Sequence, residues 1–161
     1  MDKAEEIAER ARKSISSYCS EECRAYCCRK GYLVLSGNEA CLIAGSDKEY
    51  LERKGTLKKL KSGRYSLFLG EKDSPCPMLN GFRCMIHNNP KRPAACRNFP
   101  VFLDRKAMAV RLSHRCLAVK ERKLYSFEKE WHAIGWKVVQ SDPFYDIELF
   151  NVRLSETDAA Q

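Results

Sequence analysis

Four short apolar runs read as β-strands. They cover residues 32–35, 65–69, 101–103 and 108–112, are rich in β-branched or aromatic residues, and are bounded by Gly, Ser, Pro or Asp. Between them lie polar stretches of helical composition. Residues 2–30 abound in Ala, Glu, Arg and Lys, all good helix formers, with Gly31 after Arg29-Lys30 as a stop. Residues 38–54 read as a second helix ending at Gly55. Further on, 127–138 and 143–153 are amphipathic or mixed, with Asp142-Pro143 between them, giving a helical C-terminal extension over 127–155. Trp131, Trp136, Phe144, Tyr145, Ile147, Leu149 and Phe150 supply core bulk, and Ser155 to Gln161 read as a frayed end. The stretch 73–100 is different. It holds five of the six prolines, with Gly81 and Asn80, Asn88 and Asn89, so neither a long helix nor a central strand fits there.

These elements predict a small α+β domain with an N-terminal cysteine-bearing helix, short strands and loops that need an outside source of order. Length agrees, since 161 residues make one domain's worth of chain, and no repeat or internal boundary divides it. Hydrophobic residues at 44% and charged residues at 31% are globular values. No apolar run of about 18 residues is present to span a membrane. The start, Met1-Asp2-Lys3-Ala4-Glu5-Glu6, has no apolar core of a secretory signal, so a cytoplasmic location is expected.

Nine cysteines change the picture. In a reducing compartment, clustered cysteines signify metal or redox chemistry more than disulfides, and an odd number fits full pairing poorly. Four fall close together, at Cys19, Cys23, Cys27 and Cys28, and three more at Cys76, Cys84 and Cys96. Cys41 and Cys116 stand apart. On a helix, Cys19, Cys23 and Cys27 form one stripe, whereas Cys28 points about 100° from Cys27. Four thiolates from one straight helix would meet a single metal badly, so the helix is expected to end near Cys27 or the cluster to be split between two sites. In the proline-rich stretch, coordination by Cys76, Cys84 and Cys96 would supply the missing order. Cys41, within Ala40-Cys41-Leu42-Ile43-Ala44, reads as a buried core cysteine on a short helix. His87, three residues after Cys84, and His114, two before Cys116, have feasible mixed Cys/His spacings, while His132 reads as packing or surface.

The order C-x3-C-x3-C-C, then Gly81-Phe82-Arg83-Cys84-Met85-Ile86-His87, then Arg92-Pro93-Ala94-Ala95-Cys96-Arg97-Asn98-Phe99-Pro100, resembles the CxxCxxCC family of zinc- or iron-chelating domains, also called YkgJ-like. The likeness spans about residues 19–116. It departs in the opening gaps, three residues here against two in the family, and in His87, where the family usually has Tyr. The resemblance implies eight metal ligands: Cys19, Cys23, Cys27, Cys28, Cys76, Cys84, Cys96 and Cys116. A flagellin lysine methylase carries a similar cysteine pattern, which raises a cluster-dependent protein-modifying enzyme as an analogy.

Eight thiolates suffice for two four-ligand centres, and both zinc and iron–sulfur clusters accept four. The gaps of eight and twelve residues among Cys76, Cys84 and Cys96 match no zinc knuckle, which favours one or two iron–sulfur clusters, such as [4Fe–4S], with zinc as the alternative. The net charge of +8 suits this, since a four-thiolate centre carries a charge of about −2. Arg24, Arg29, Lys30, Arg83, Arg92, Arg97 and Arg115 all lie near a cysteine in sequence, and cations stabilise thiolates. The expected function is a metal-binding protein with a redox, sensing or maturation role and an unidentified protein partner or substrate. A zinc-structured nucleic-acid-binding module is the less favoured alternative, since the basic residues are interleaved with acids. No nucleophile–base motif, P-loop or dinucleotide fingerprint assigns a catalytic residue.

Overall fold

The computed structural model describes residues 1–29, 32–69 and 75–141. Along the chain run α1 (Lys3–Ser14), α2 (Ser16–Glu21), β1 (Tyr32–Leu35), α3 (Gly37–Ala44), α4 (Lys48–Lys54), β2 (Leu57–Lys59), β3 (Tyr65–Phe68), β4 (Leu79–Asn80), β5 (Arg83–Cys84), α5 (Ala94–Asn98), β6 (Val101–Asp104), β7 (Ala109–Ser113), α6 (Leu117–Lys120), α7 (Tyr125–Ala133) and β8 (Lys137–Ser141). The fold is α+β, as expected. The expected single domain is organised as two compact units. Among the described residues, the first comprises 1–26 and 98–141 and the second lies within 27–97.

The first unit is built on the sheet β6-β7-β8. β6 and β7 are antiparallel, with Phe102 opposite Arg111, and β8 lies parallel to β7, with Val138 opposite Val110. A parallel neighbour needs a crossover, here supplied by α6 and α7. Ala4, Ile7, Ala8 and Ala11 recur at helical spacing and form the buried stripe of α1. They join Val101, Val110, Leu112, Leu124 and Trp131 in one core. Trp131 is 0% exposed, and its indole N–H finds the carbonyl of Ala4 at 3.3 Å, so its polar atom is buried with a partner. Asp2 caps α1 by accepting from the Glu5 amide at 2.9 Å. Arg12 ties the helix to the chain entering β6, donating to the carbonyls of Asn98 (3.0 Å) and Val101 (2.6 Å).

The second unit carries the antiparallel sheet β1-β3-β2, with Leu35 opposite Tyr65 and Leu57 opposite Leu67. Leu33, Leu35, Ala40, Ile43, Leu57, Leu67 and Leu69 make its core. Ser36 and Glu39 close a full capping box on α3. Gly55 stops α4 in the left-handed conformation at φ 77°, where a side chain would be strained.

Four expectations need correction. The helix over 2–30 breaks at Ile15 and ends at Glu21. Arg24 and Ala25 both take φ of 53°, which an α-helix cannot contain. Cys19 is therefore on α2, Cys23 is beyond it, and Cys27 and Cys28 sit in a 3-10 turn, so no single helical stripe of cysteines forms. The helix over 38–54 is interrupted at Gly45. The expected helical extension over 127–155 ends at Ala133, and residues 137–141 pair as a strand with the open edge of β7. The remainder of that extension, with Phe144, Tyr145, Ile147, Leu149, Phe150 and the end from Ser155, lies outside the described residues. Finally, Cys41 is on a short helix as expected but is exposed.

Candidate metal centre

All nine cysteines are unbridged. Seven of the eight candidate ligands fall into two groups whose members feel one another's charge. In the second unit, the Cys76 amide donates to the Cys28 carbonyl at 2.9 Å. Cys76 then opens a turn, with the Leu79 amide on its carbonyl at 2.9 Å and Pro77 preset at the second position. Leu79 pairs with Cys84 across the β4/β5 hairpin, whose tip is Gly81 at φ 61°. Cys84 opens another turn, closed by the His87 amide at 3.2 Å. Cys96 is carried on α5 and packs, with Cys76, against the core of the same unit. Burial pushes the Cys96 thiol up to about 12; Arg92 opposes the rise, and the sulfurs of Cys28, Cys76 and Cys84 add to it. Cys76 is pushed up to about 11, by burial first, with the Met78 N–H working against it and Cys28 and Cys84 adding to it. Cys28, Cys76, Cys84 and Cys96 thus lie in one another's electrostatic field.

The first unit holds a second group. Burial raises Cys116 to about 11, opposed by the Val119 and Ala118 amides and augmented by Cys23 and Cys19. Cys23 accepts from the Tyr26 amide at 3.4 Å. Cys23, Cys76 and Cys116 share one feature: an amide two or three residues downstream turns back on the sulfur. Such N–H dipoles favour the thiolate, the form that binds metal, and hydrogen bonds to sulfur tune a cluster's potential. Cys27 heads the second unit beside Cys28.

Among the described residues, no group of three or more His, Cys, Asp or Glu side chains is arranged so that it could hold a metal ion. Burial keeps the Cys76 and Cys96 thiols protonated at neutral pH, so no charge accumulates on them. The Nε of Arg92 is buried without an acceptor among the described residues.

The histidines are placed elsewhere. His114 bonds Gln140 at 2.9 Å, and His132 is exposed on the last turn of α7. His87 is exposed, with its basicity lowered first by desolvation and then by Arg92. Charge is also unevenly divided along the chain. Residues 27–97 contain fourteen Lys and Arg against six Asp and Glu, a net of +8, while the remaining chain has fifteen of each.

No protein-family model, curated protein or solved structure matches the chain. The likeness to the CxxCxxCC family rests on the motif residues themselves. Among the described residues, no helix is long and apolar enough to cross a membrane.

Proposed function

We propose that this is a metal-binding protein of the CxxCxxCC kind that holds iron–sulfur clusters through its cysteines and serves a redox, sensing or maturation role in the cytoplasm. The observation that carries the reading is the mutual field of Cys28, Cys76, Cys84 and Cys96, drawn from three distant parts of the sequence and anchored by the Cys76–Cys28 backbone bond. Cys19, Cys23 and Cys116 would contribute to a second centre, and Cys27 is the eighth ligand of the set. A cluster bound at either group would supply one-electron chemistry. The chain's own part is to hold the sulfurs, direct amides at them and surround them with cations. Whole-chain protein purified without oxygen tests the reading: it should be brown, contain iron and acid-labile sulfide, and bleach with dithionite.

A second reading draws on the charge of residues 27–97. A zinc-structured nucleic-acid-binding module would use that excess of cations against phosphates. Stoichiometric zinc in colourless protein, with a salt-sensitive mobility shift on DNA or RNA, would favour it; a lack of binding at low salt would remove it.

A further inference from the structure

The second unit divides its charge between the two faces of its sheet. Side chains alternate along a strand, and Leu33, Leu35, Leu57, Tyr65 and Leu67 turn one face to the core. α3 and α4 cover that face. Ala40 and Ile43 join the same core, Leu51 packs against it, and Lys48 reaches the Tyr65 hydroxyl at 3.2 Å. Every acid described within 27–97, namely Glu39, Asp47, Glu49 and Glu52, lies on these helices or the turn between them. Glu39 accepts from the Ser36 amide at 2.8 Å and the Ala94 amide at 3.4 Å, and Glu52 pairs with Lys48 at 2.5 Å.

The other face carries rings and cations. Tyr32 stands opposite Phe68, and Lys58 opposite Ser66. The two rings lie 5.0 Å apart, tilted by 40°. Val34, also opposite Ser66, is buried on this face, whereas Tyr32 is 59% exposed and Lys58 is exposed. A ring this open adds little to the core, and beside a second ring it makes a platform rather than a scattered apolar residue. The β2/β3 hairpin adds charge without acid. From Arg53 to Gly70 there are six Lys and Arg and no Asp or Glu. Its turn closes with the Leu60 amide on the Arg64 carbonyl at 2.8 Å and Gly63 at φ 86°, and Lys61 is exposed there. At about 3.3 Å per residue, Arg64 is about 13 Å along β3 from Phe68.

We propose that this outer face of β1-β3-β2 is a docking surface for an unpaired nucleic-acid strand, with Tyr32 and Phe68 stacking on bases and Lys58 and Lys61 holding phosphates. The inference gives a surface to the second reading above; it rests on the nucleic acid of that reading and not on its zinc. Stacking needs bases with open faces, which a duplex hides, and it tolerates any sequence because every base has such a face. Cations alone would hold any polyanion. The paired rings among them favour a strand of bases over an acidic polypeptide, which would gain nothing from stacking.

The test follows the fluorescence anisotropy of a labelled oligothymidylate of about 16 nucleotides titrated with the full chain as wild type, Y32A, Y32F, K58Q/K61Q and Y50A. Tyr50 is the control, an exposed ring beside Lys54 at 5.4 Å but carried on α4. At low salt, wild type should bind the strand about tenfold more tightly than the same strand paired with oligoadenylate. Y32A should weaken binding about tenfold, while Y32F and Y50A should stay within about twofold of wild type. K58Q/K61Q should lower the slope of log K against log salt by about 1.4, two phosphate contacts at about 0.7 each. If Y32A does not fold, K58Q/K61Q decides: a flatter slope supports the face, and an unchanged one overturns it. Y32A that binds as well as Y50A, a duplex held as tightly as the strand, or polyglutamate competing as well as unlabelled strand overturns the docking face alone. Wild type that binds neither strand nor duplex at low salt overturns the nucleic-acid reading along with it.

Discussion

The amide of Cys76 donates to the carbonyl of Cys28 at 2.9 Å, joining two points forty-eight residues apart in the chain. The bond positions the start of the proline-rich stretch against the end of the front cysteine cluster. Cys28 also acts on the Cys76 and Cys96 thiols, adding to the rise that burial causes in both.

The first prediction contrasts two cysteines within the same unit. Cys96→Ser should lose metal and solubility, because the sulfur is buried in the field of three others. Cys41→Ser should leave metal content near wild type, because that side chain is exposed on the outer face of α3. Elemental analysis of both variants, purified without oxygen, checks this, and equal losses would contradict the ligand assignment.

A second prediction concerns grouping. Cys84→Ser should abolish one centre and Cys116→Ser the other, so each variant should retain about half the wild-type metal and the double variant essentially none. Either single variant losing everything would mean that the thiols act as one site.

Alkaline pH should weaken the metal-free protein. Cys76, Cys96 and Cys116 are raised in the folded state to about 11, 12 and 11 from an ordinary value of 9.0. The unfolded chain therefore releases these protons first, and stability falls as pH rises from about 9 toward the folded values. Each such thiol removes about 1.4 kcal/mol per pH unit in that window. Urea midpoints should be flat from pH 7 to 8.5, decline by pH 10.5, and decline less in metal-free Cys96→Ala.

Packing of the first unit depends on Trp131, wholly enclosed and hydrogen-bonded to Ala4. Trp131→Ala should cost about 3–5 kcal/mol by urea denaturation. Ser36→Ala, which opens the capping box of α3, should cost only about 1 kcal/mol.

The strands at 32–35, 65–69, 101–103 and 108–112 were legible in the sequence because β-branched and aromatic runs between turn residues carry their own signal, and β1, β3, β6 and β7 lie there within a residue. The end of the front helix was not. Arg24 and Ala25 are not residues that announce a left-handed backbone, although the turn they form returns the Ala25 amide to the Cys19 carbonyl at 2.8 Å. β8 was hidden because Val138 and Val139 follow a genuine helix, and their strand state depends on a free edge of β7. Cys41 misled through its apolar neighbours. Ala40, Ile43 and Ala44 define the buried side of α3, and Cys41 falls about 100° from Ala40, facing outward. Among the candidate ligands, spacing revealed two clusters in sequence but not that Cys28 bonds through its backbone to Cys76, nor that Cys116 lies within the electrostatic reach of Cys19 and Cys23.

The most direct test of the whole account is iron, sulfide and zinc per chain in protein purified without oxygen, taken together with the number of thiols open to alkylation before and after chelation. The account predicts bound iron with sulfide, and Cys41 as the readily alkylated thiol until the metal is stripped. Protein with no bound metal and nine thiols that react at once would contradict it.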